Sequence, residues 1–481
     1  MNALELSAAI KAKNISVSEA VMKYIDIAEK SELNAFLAIP KEHALARAKE
    51  VQAQIDLGDI PSPLAGLPVA VKDNISTAGT ETTCASKTLK GYIPVFNATV
   101  VDKLEQAGMI VVGKLNLDEF AMGNTSETGY FGPVRNPWDK DRVAGGSSGG
   151  NAAAVAGSEI PLTLGSDSGG SIRQPCAFCG TTGIKPTYGA VSRYGAVAYA
   201  SSMDQIGPIG RNINDCAAML SVISGPDYKD PTCVIKQPFT FNKCESDRLD
   251  GLRIGLPGNY LSDAIDGEIK EKVLAAAKEL ENAGAQIEEF EMPLMEYMVP
   301  AYYVIACAEA SSNMSRYDGL KYGYRAQAET LSDVYKLSRS QGFGLEVKRR
   351  IMLGSFVLSS GFYDAYYKKA LQARTLIKGA FDRLFEKYDM ILSPVTLTTA
   401  YKIGENINDP LKMYLADIYT VSANLAGLPA VALPCGFDGK DLPVGFQLIG
   451  NIFTEEKLIK AAGAYQNRTD YHLQKPGGES L

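Results

Sequence analysis

Two serines embedded in glycine-rich sequence point to nucleophilic chemistry. Ser147 lies in the run GGSSGG at residues 145–150, and Ser171 ends the run GSDSGGS at residues 165–171. A serine hydroxyl becomes an effective nucleophile when a neighbouring base removes its proton. The pattern therefore indicates a hydrolytic serine, provided that the chain also supplies a base.

A lysine is the predicted base for these serines. Histidine is the more usual base, but the chain has two histidines, His43 and His472, and both are predicted to lie on the surface. Lysine takes this role in Ser-Lys variants of the catalytic triad when burial lowers its pKa. Lys72 follows a short apolar segment, and Lys114 and Lys185 also lie near predicted strand ends. Spacing alone leaves all three lysines open as candidates.

The second glycine-rich run also predicts where a developing oxyanion is held. Consecutive backbone N–H groups that large side chains do not obstruct form an oxyanion hole when they point at the reacting oxygen. The candidates for these donors are Ser168, Gly169 and Gly170. Ser171 is then the predicted attacking residue, and Ser147 is predicted to relay its proton to a neutral Lys72.

Glycine-rich runs also have other uses. Serine and glycine are common turn residues, so each run taken alone is more often a turn than a site. A phosphate-binding loop needs a lysine and a serine or threonine after its last glycine, and Asn151 stands there instead. The run at residues 145–150 is therefore not a phosphate-binding loop.

The elements that must position these residues alternate between strands and helices. Apolar runs predict strands at residues 67–71, 109–113 and 160–164, and apolar stripes or small residues predict helices at residues 99–107 and 151–156. Such alternation predicts an α/β layered core. Lys72 and the second glycine-rich run both follow predicted strands, at the edge where α/β sheets build their sites.

The chain is predicted to form one large α/β domain with a helical insertion. Its 481 residues are enough for several domains, but neither a linker nor a repeat divides them. Residues of about 295–387 are rich in tyrosine and mostly helical in pattern. Further strands are predicted on both sides of this segment, at residues 252–256, 390–392, 430–433 and 444–448.

Composition excludes several other classes of protein. The net charge is −7 and lysine and arginine form no dense cluster, which argues against nucleic-acid binding by this chain alone. Neither a membrane-spanning stretch nor a signal peptide is predicted, so the cytoplasm is the expected compartment. Cys176 and Cys179 form half of a zinc motif with no second half, and they are predicted to be buried thiols, with no metal site.

Three segments resemble the amidase signature family: residues 68–74 (PVAVKDN), the GGSSGG run, and residues 165–175 (GSDSGGSIRQP). The resemblance implies a Ser-cisSer-Lys triad, in which Ser171 is the nucleophile, Ser147 follows a cis peptide bond and Lys72 is the base. It also implies a mixed β-sheet sandwiched by helices, in one amidase-signature domain over residues 1–481.

The resemblance is strongest to a branch of that family that hydrolyses free glutamine and supplies ammonia for the amidation of glutamyl-tRNA(Gln). The segments that carry it are residues 115–123, 349–354, 414–420 and 424–429. The branch implies that Arg350 binds the carboxylate of glutamine and Asp417 its ammonium group. Tyr302 or Tyr303 is a further candidate contact. Without the resemblance, Arg350 and Asp417 would be interpreted as ordinary surface or salt-bridge residues.

The same branch implies partners rather than a cofactor in this chain. B and C subunits are expected, with tRNA contacted mainly through the B subunit, and ATP and Mg²⁺ bound by the partner. Two other hypotheses stay open. One is a stand-alone amidase for small or aryl amides, which would not need Arg350 and Asp417. The other is a non-catalytic scaffold, against which the presence of Lys72, Ser147 and Ser171 argues.

Overall fold

The computed structural model describes residues 1–405 and 409–477, and its framework is a set of strands. The strands of these residues are β1 (Phe36–Ala38), β2 (Pro68–Lys72), β3 (Ile110–Leu115), β4 (Arg135–Asn136), β5 (Asp139–Val143), β6 (Leu162–Asp167), β7 (Thr182–Lys185), β8 (Gln205–Gly210), β9 (Arg253–Pro257), β10 (Gln286–Phe290), β11 (Met390–Pro394), β12 (Ala430–Phe437) and β13 (Pro443–Gly450).

Helices surround this framework. Those of the described residues are α1 (Ala3–Lys11), α2 (Val17–Glu29), α3 (Lys41–Asp56), α4 (Thr99–Gln106), α5 (Gly149–Ala156), α6 (Arg173–Cys179), α7 (Ile213–Ile223), α8 (Gly267–Asn282), α9 (Met295–Met314), α10 (Leu331–Gly342), α11 (Leu345–Leu358), α12 (Lys368–Lys387), α13 (Pro410–Leu415), α14 (Val421–Leu425) and α15 (Glu455–Arg468). None of these described helices has both the length and the apolar character needed to cross a bilayer.

One large sheet forms the core of the described residues. Eleven strands pair in the order β1-β3-β2-β6-β8-β7-β12-β13-β11-β9-β10, while β4 and β5 form a separate hairpin. β2 is parallel to both β3 and β6, whereas β6 and β7 are antiparallel to β8. The predicted α/β class with a mixed sheet flanked by helices is therefore confirmed. Between β10 and β11 the long elements are α9 to α12, in the segment predicted to be helical.

The strand that carries Lys72 shows why this sheet forms where it does. All five residues of β2 are buried, and the strand lies between β3 and β6. A parallel strand covered on both faces is apolar along its whole length rather than alternating, which is the pattern of residues 68–71. Lys72 is therefore delivered into the interior as the last residue of a central strand.

Several strands differ from the prediction, and β6 and β8 show why. The strand predicted at residues 160–164 is β6 and continues through Asp167, because β8 pairs with it along its length and Asp167 lies opposite Gln205. β8 itself was not predicted, because proline and glycine interrupt its sequence QIGPIG. Glycine is required at position 207, because a Cβ there would overlap the carbonyl oxygen of Ile184 on neighbouring β7.

The two histidines have different surroundings. His43 is exposed on α3, as predicted. The prediction that His472 lies on the surface was wrong, because its side chain is buried, with 8% of the residue exposed. A short turn, Tyr471–Leu473, packs against β12 and carries it inward. Burial lowers the pKa of His472 to about 4.

The two cysteines of the CxxC motif are buried free thiols, as predicted. Cys176 and Cys179 lie on α6, and the Cys179 thiol donates to the Ala144 carbonyl oxygen at 3.3 Å. Among the described residues, no group of three or more His, Cys, Asp or Glu side chains is arranged to hold a metal ion.

Candidate active site

Lys72 lies at the centre of a cluster of serine hydroxyls. Its Nζ donates to the Oγ atoms of Ser147 at 2.7 Å, Ser148 at 2.8 Å and Ser166 at 3.0 Å. The side chain has no solvent exposure, and burial lowers its pKa to about 7. A large fraction of the amine is therefore neutral near pH 7, as a base must be.

The two glycine-rich runs meet at this lysine. The peptide bond between Gly146 and Ser147 is cis. The Ser148 amide, one residue further on, donates to the Ser171 carbonyl oxygen at 3.0 Å, and this bond joins the two runs. The Gln174 side chain adds a second link by accepting from the Gly146 amide at 2.9 Å. The sequence prediction that these runs act together therefore has a direct structural basis.

Ser171 is the most accessible member of the predicted triad. It is 7% exposed, whereas Lys72 and Ser147 are fully buried. Within the described residues, its hydroxyl makes no hydrogen bond to the Ser147 hydroxyl. The proton relay from Ser171 through Ser147 to Lys72 stays a prediction.

The two other candidate lysines are buried elsewhere. Lys114 forms an ion pair with Asp73, with 3.2 Å between Nζ and Oδ1. Lys185 donates to the Pro186 carbonyl oxygen at 2.8 Å, and burial lowers its pKa to about 7 as well. The pKa therefore does not separate Lys72 from Lys185. Geometry does, because Lys72 is the one of the three that contacts Ser147.

The predicted oxyanion donors are not equivalent. The Gly170 amide already donates to Asp167 Oδ1 at 2.8 Å. The amides of Ser168, Gly169 and Ser171 have no hydrogen-bond acceptor in the described part of the chain. The free donors therefore flank Gly170, and the assignment of an oxyanion hole to residues 168–170 stays a prediction.

A buried ion pair holds the second run in shape. Arg173 donates to Asp167 through both Nε and Nη2, each at 3.1 Å. Its other bonds reach across the fold, to Asn424 Oδ1 at 2.6 Å and to Gln447 Oε1 at 2.8 Å. Although burial opposes it, this pair keeps the pKa of Asp167 below its ordinary value. The second glycine-rich run is thus anchored to Asn424 and to Gln447 of β13, in the C-terminal part of the chain.

Arg350 occupies a buried aromatic pocket rather than the surface. It projects from α11 with 3% exposure. Its Nε donates to Glu346 at 2.8 Å and its Nη1 to the Tyr199 hydroxyl at 2.5 Å. The guanidinium carbon lies 5.2, 5.4 and 5.7 Å from the ring centroids of Tyr199, Tyr303 and Tyr414. Nη2 makes no hydrogen bond within the described residues, so this nitrogen is left for an anion.

Asp417 and Arg350 both contact Tyr303. Asp417 Oδ2 accepts from the Tyr303 hydroxyl at 2.6 Å, and its Oδ1 accepts from Asn124 Nδ2 at 3.0 Å. Burial raises the pKa of Asp417 to about 6, so the carboxylate is mostly ionised at neutral pH. Neither residue lies on the surface, since both are buried and contact Tyr303, but Arg350 does form a salt bridge, with Glu346, as the alternative interpretation allowed.

Sequence reasoning missed several residues of the site. Ser148 and Ser166 bind Lys72 but look like any other residues of a glycine-rich run. Glu346 has a usable signal, since it precedes Arg350 by four residues on one helix and opposite charges at that spacing meet. Tyr199 has no signal, because it comes from a loop 151 positions away from Arg350 in the chain.

Comparison with known proteins adds information that the geometry does not contain. A family model described as Amidase matches residues 19–459. The A subunit of the glutamyl-tRNA(Gln) amidotransferase of Agathobacter rectalis is 56% identical, over 97% of this chain and 93% of the relative. The protein of the same name from Geobacillus kaustophilus is 52% identical, over 98% of each chain.

Solved structures show the same similarity. A crystal structure of the A subunit of the glutamyl-tRNA(Gln) amidotransferase of Thermotoga maritima superposes with a TM-score of 0.79 at 40% identity, covering 97% of this chain and 94% of that one. A bacterial aryl acylamidase of the amidase signature family superposes with a TM-score of 0.87 at 25% identity, covering 100% and 99%. Two different activities therefore share this fold, and sequence identity favours the first.

Proposed function

This chain belongs to the amidase signature family, and on that premise we propose that it is the glutamine-hydrolysing subunit of a glutamyl-tRNA(Gln) amidotransferase. It releases ammonia from free glutamine, and the ammonia is used to convert Glu-tRNA(Gln) to Gln-tRNA(Gln). The observation that carries the proposal is the contact of buried Lys72 with Ser147 at 2.7 Å, with the lysine pKa near 7.

Glutamine binds through its two charged groups. Arg350 offers its free Nη2 to the α-carboxylate, and Asp417 accepts hydrogen bonds from the α-ammonium. Charge-assisted bonds of this kind are stronger than neutral ones. Tyr303 contacts both residues, Asp417 through its hydroxyl and Arg350 through its ring. The side-chain amide of glutamine is then directed toward Ser171.

Ser171 attacks the amide carbon of bound glutamine. Its proton passes through the Ser147 hydroxyl to neutral Lys72, and the carbonyl oxygen becomes an oxyanion held by free amides of the second run. The proton returns from Lys72 to the leaving nitrogen, so that ammonia departs and a glutamyl ester remains on Ser171. Water then attacks this ester with Lys72 again as base, releasing glutamate and restoring the serine.

Partners follow from the names of the relatives. A protein that resembles the A subunit of this enzyme is expected to work with B and C subunits. Activation of the tRNA-bound glutamate with ATP and Mg²⁺, and most of the contact with tRNA, belong to the B subunit. The acidic net charge of −7 supports this division, because it does not favour phosphate binding by this chain.

The test is to separate ammonia production from ammonia use. In the complex with B and C subunits, Ser171→Ala should abolish glutamine hydrolysis and glutamine-dependent amidation. Amidation supported by added ammonium chloride should remain, because the acceptor is activated elsewhere. Ser221→Ala on α7 is the matched control and should leave both activities intact.

Two outcomes would contradict the proposal. Loss of the ammonium-supported reaction as well would mean that Ser171 has a structural role. Failure to hydrolyse glutamine, with good turnover of small or aryl amides and no association with B and C subunits, would favour the stand-alone amidase.

A further inference from the structure

The peptide unit between Gly169 and Gly170 is held at both of its polar ends. The Thr420 hydroxyl donates to the Gly169 carbonyl oxygen at 2.6 Å, and the Gly170 amide donates to Asp167 Oδ1 at 2.8 Å. Because a peptide unit is planar, these two bonds fix its orientation. We propose that Thr420 is a positioning residue, which clamps this peptide so that the neighbouring amides point at the oxyanion.

Without a clamp this part of the loop would be unusually free. Two successive glycines have no Cβ atoms to restrict their dihedral angles. Gly170 has a φ of 134°, and a Cβ there would lie 2.5 Å from Thr420 Oγ1. The site therefore requires glycine at this position, and Thr420 supplies from outside the restraint that glycine lacks.

Thr420 also joins the loop to the segment that binds substrate. Its own amide donates to the Asp417 carbonyl oxygen at 3.0 Å, so both residues belong to one turn. Its carbonyl oxygen accepts from Arg173 Nη1 at 3.0 Å. The residue is 1% exposed, and its hydroxyl, amide and carbonyl groups form hydrogen bonds inside the protein. Thr420 thus links three parts of the site. They are Asp417, which is proposed to bind the ammonium group, the second glycine-rich run, and Arg173, which anchors that run.

The clamp should affect turnover more than binding. The carbonyl oxygen of the substrate needs the free amides of Gly169 and Ser171 when it becomes negative, and less before that. Loss of one oxyanion donor costs roughly 100-fold or more in kcat. Loss of a residue that only aims the donors should cost less, about tenfold, with KM nearly unchanged.

Two pairs of variants isolate the hydroxyl. Thr420→Val keeps the shape of the side chain but lacks the hydroxyl, so its comparison with wild type tests the hydroxyl. Thr420→Ala and Thr420→Ser both lack the methyl group and differ in the hydroxyl. The measurement is kcat and KM of the complex with B and C subunits, for glutamine and for butanamide, a neutral primary amide. Thermal unfolding of each variant is followed in parallel.

We expect kcat to fall about tenfold from wild type to Thr420→Val and from Thr420→Ser to Thr420→Ala, on both substrates. KM should change by less than about threefold, and amidation supported by ammonium chloride should be unaffected. If Thr420→Val does not fold, the alanine and serine pair decides alone.

Several results would overturn the inference. Equal kcat values within each pair would show that the Thr420 hydroxyl does not position the oxyanion donors. Equal losses in the serine and alanine variants would assign the effect to packing of the methyl group. A change in KM alone would place Thr420 in substrate binding. The clamp rests on the proposed function only for the identity of the substrate. If wild type hydrolyses butanamide but not glutamine, the proposed function fails. The butanamide comparison then still decides whether the Thr420 hydroxyl acts as a clamp. Absence of hydrolysis of both amides by wild type would overturn both.

Discussion

Lys72 and Lys114 show how partners decide the chemistry of a buried amine. Burial lowers the pKa of Lys114 as well, but the lysine lies against the Asp73 carboxylate, which partly offsets that effect. Lys72 contacts serine hydroxyls instead, and burial dominates, so its pKa falls to about 7. Two lysines in neighbouring strands therefore have different roles, one in an ion pair and one available as a base.

The first prediction concerns Lys72. Lys72→Ala should lower kcat/KM for glutamine by at least about 100-fold, because general base catalysis contributes that much or more. In wild type, kcat/KM should rise as the pH rises through about 7, since the neutral amine is the active form. Lys185→Met is the control, because Lys185 has a similarly lowered pKa without contacting Ser147. An equal loss in that control would reopen the choice of base.

The second prediction concerns Arg350 and Asp417. Arg350→Ala and Asp417→Ala should each raise KM for glutamine at least about tenfold, because a substrate charge then loses its partner in a buried site. Neither change should weaken the turnover of butanamide to the same degree. Comparing kcat/KM for the two substrates is the measurement, and equal losses on both would remove these residues from the pocket.

A control is needed because Arg350 has a second charge partner. Arg350→Ala removes one of the two arginine partners of buried Glu346, which also pairs with Arg349, and that alone destabilises the protein. The double variant Arg350→Met with Glu346→Gln removes both charges. It should recover thermal stability but not the low KM for glutamine. Recovery of both would mean that Arg350 acts through structure rather than through substrate.

Residues of the site could be predicted where the pattern that marks them lies in neighbouring residues of the sequence. Ser147 and Ser171 could be found because a glycine-rich run consists of consecutive residues and is visible in the sequence. The surroundings of Arg350 could not, since Tyr199 and Tyr414 reach it from distant segments whose local patterns are unremarkable. Burial of Arg350 follows from those contacts, so residue-level reasoning alone could not distinguish a surface position from a salt bridge in the interior.

Helices α9 and α11 bring together two residues of the proposed substrate pocket. α9 carries Tyr303 and α11 carries Arg350. The two helices cross closely at Gly354, one turn beyond Arg350, where a Cβ would overlap the Cys307 carbonyl oxygen. The absence of a side chain at Gly354 therefore sets how near Arg350 comes to Tyr303.

The third prediction tests this crossing. Gly354→Ala should destabilise the protein by about 1–3 kcal/mol through overpacking and should raise KM for glutamine, because α11 must move away from α9. Gly379→Ala on α12 is the matched control, since its nearest neighbour is a flexible arginine atom at 3.8 Å. It should stabilise the protein by up to about 1 kcal/mol through helix propensity. Unfolding in urea and glutamine kinetics are the two measurements.

Among the elements, periodic ones were predictable and irregular ones were not. β2 and β3 are continuous apolar runs and were found within a few residues of their bounds. β8 escaped prediction because Pro208 and Gly207 are ordinarily strand breakers. Gly207 is tolerated because β7 approaches too closely for a side chain, and that constraint exists only once the sheet has formed.

His472 makes the stability of the whole molecule depend on pH. Its pKa is about 4 in the folded chain, against 6.5 ordinarily. Unfolding therefore takes up a proton below pH 6.5, and stability falls as the pH is lowered from 6.5 to 4. The full effect at pH 4 is on the order of 3 kcal/mol.

The fourth prediction follows from this linkage. His472→Gln should lose less stability than wild type between pH 6.5 and pH 4, because no imidazole is left to take up the proton. His43→Gln is the control and should follow wild type, since His43 is exposed. Urea unfolding at several pH values measures the difference, and parallel curves for wild type and His472→Gln would contradict the prediction.

The bonds of Arg173 have a consequence for protein synthesis. Asp167 and Ser171 leave the ribosome early, but Asn424 and Gln447, which complete the anchor of their loop, are made more than two hundred residues later. β12 must also join the centre of the sheet, beside β7, after α8 to α12 have been made. We therefore expect a nascent chain that ends before β13 to carry every member of the triad and yet hydrolyse no glutamine. If the chain supplies ammonia as proposed, only finished chains would release it.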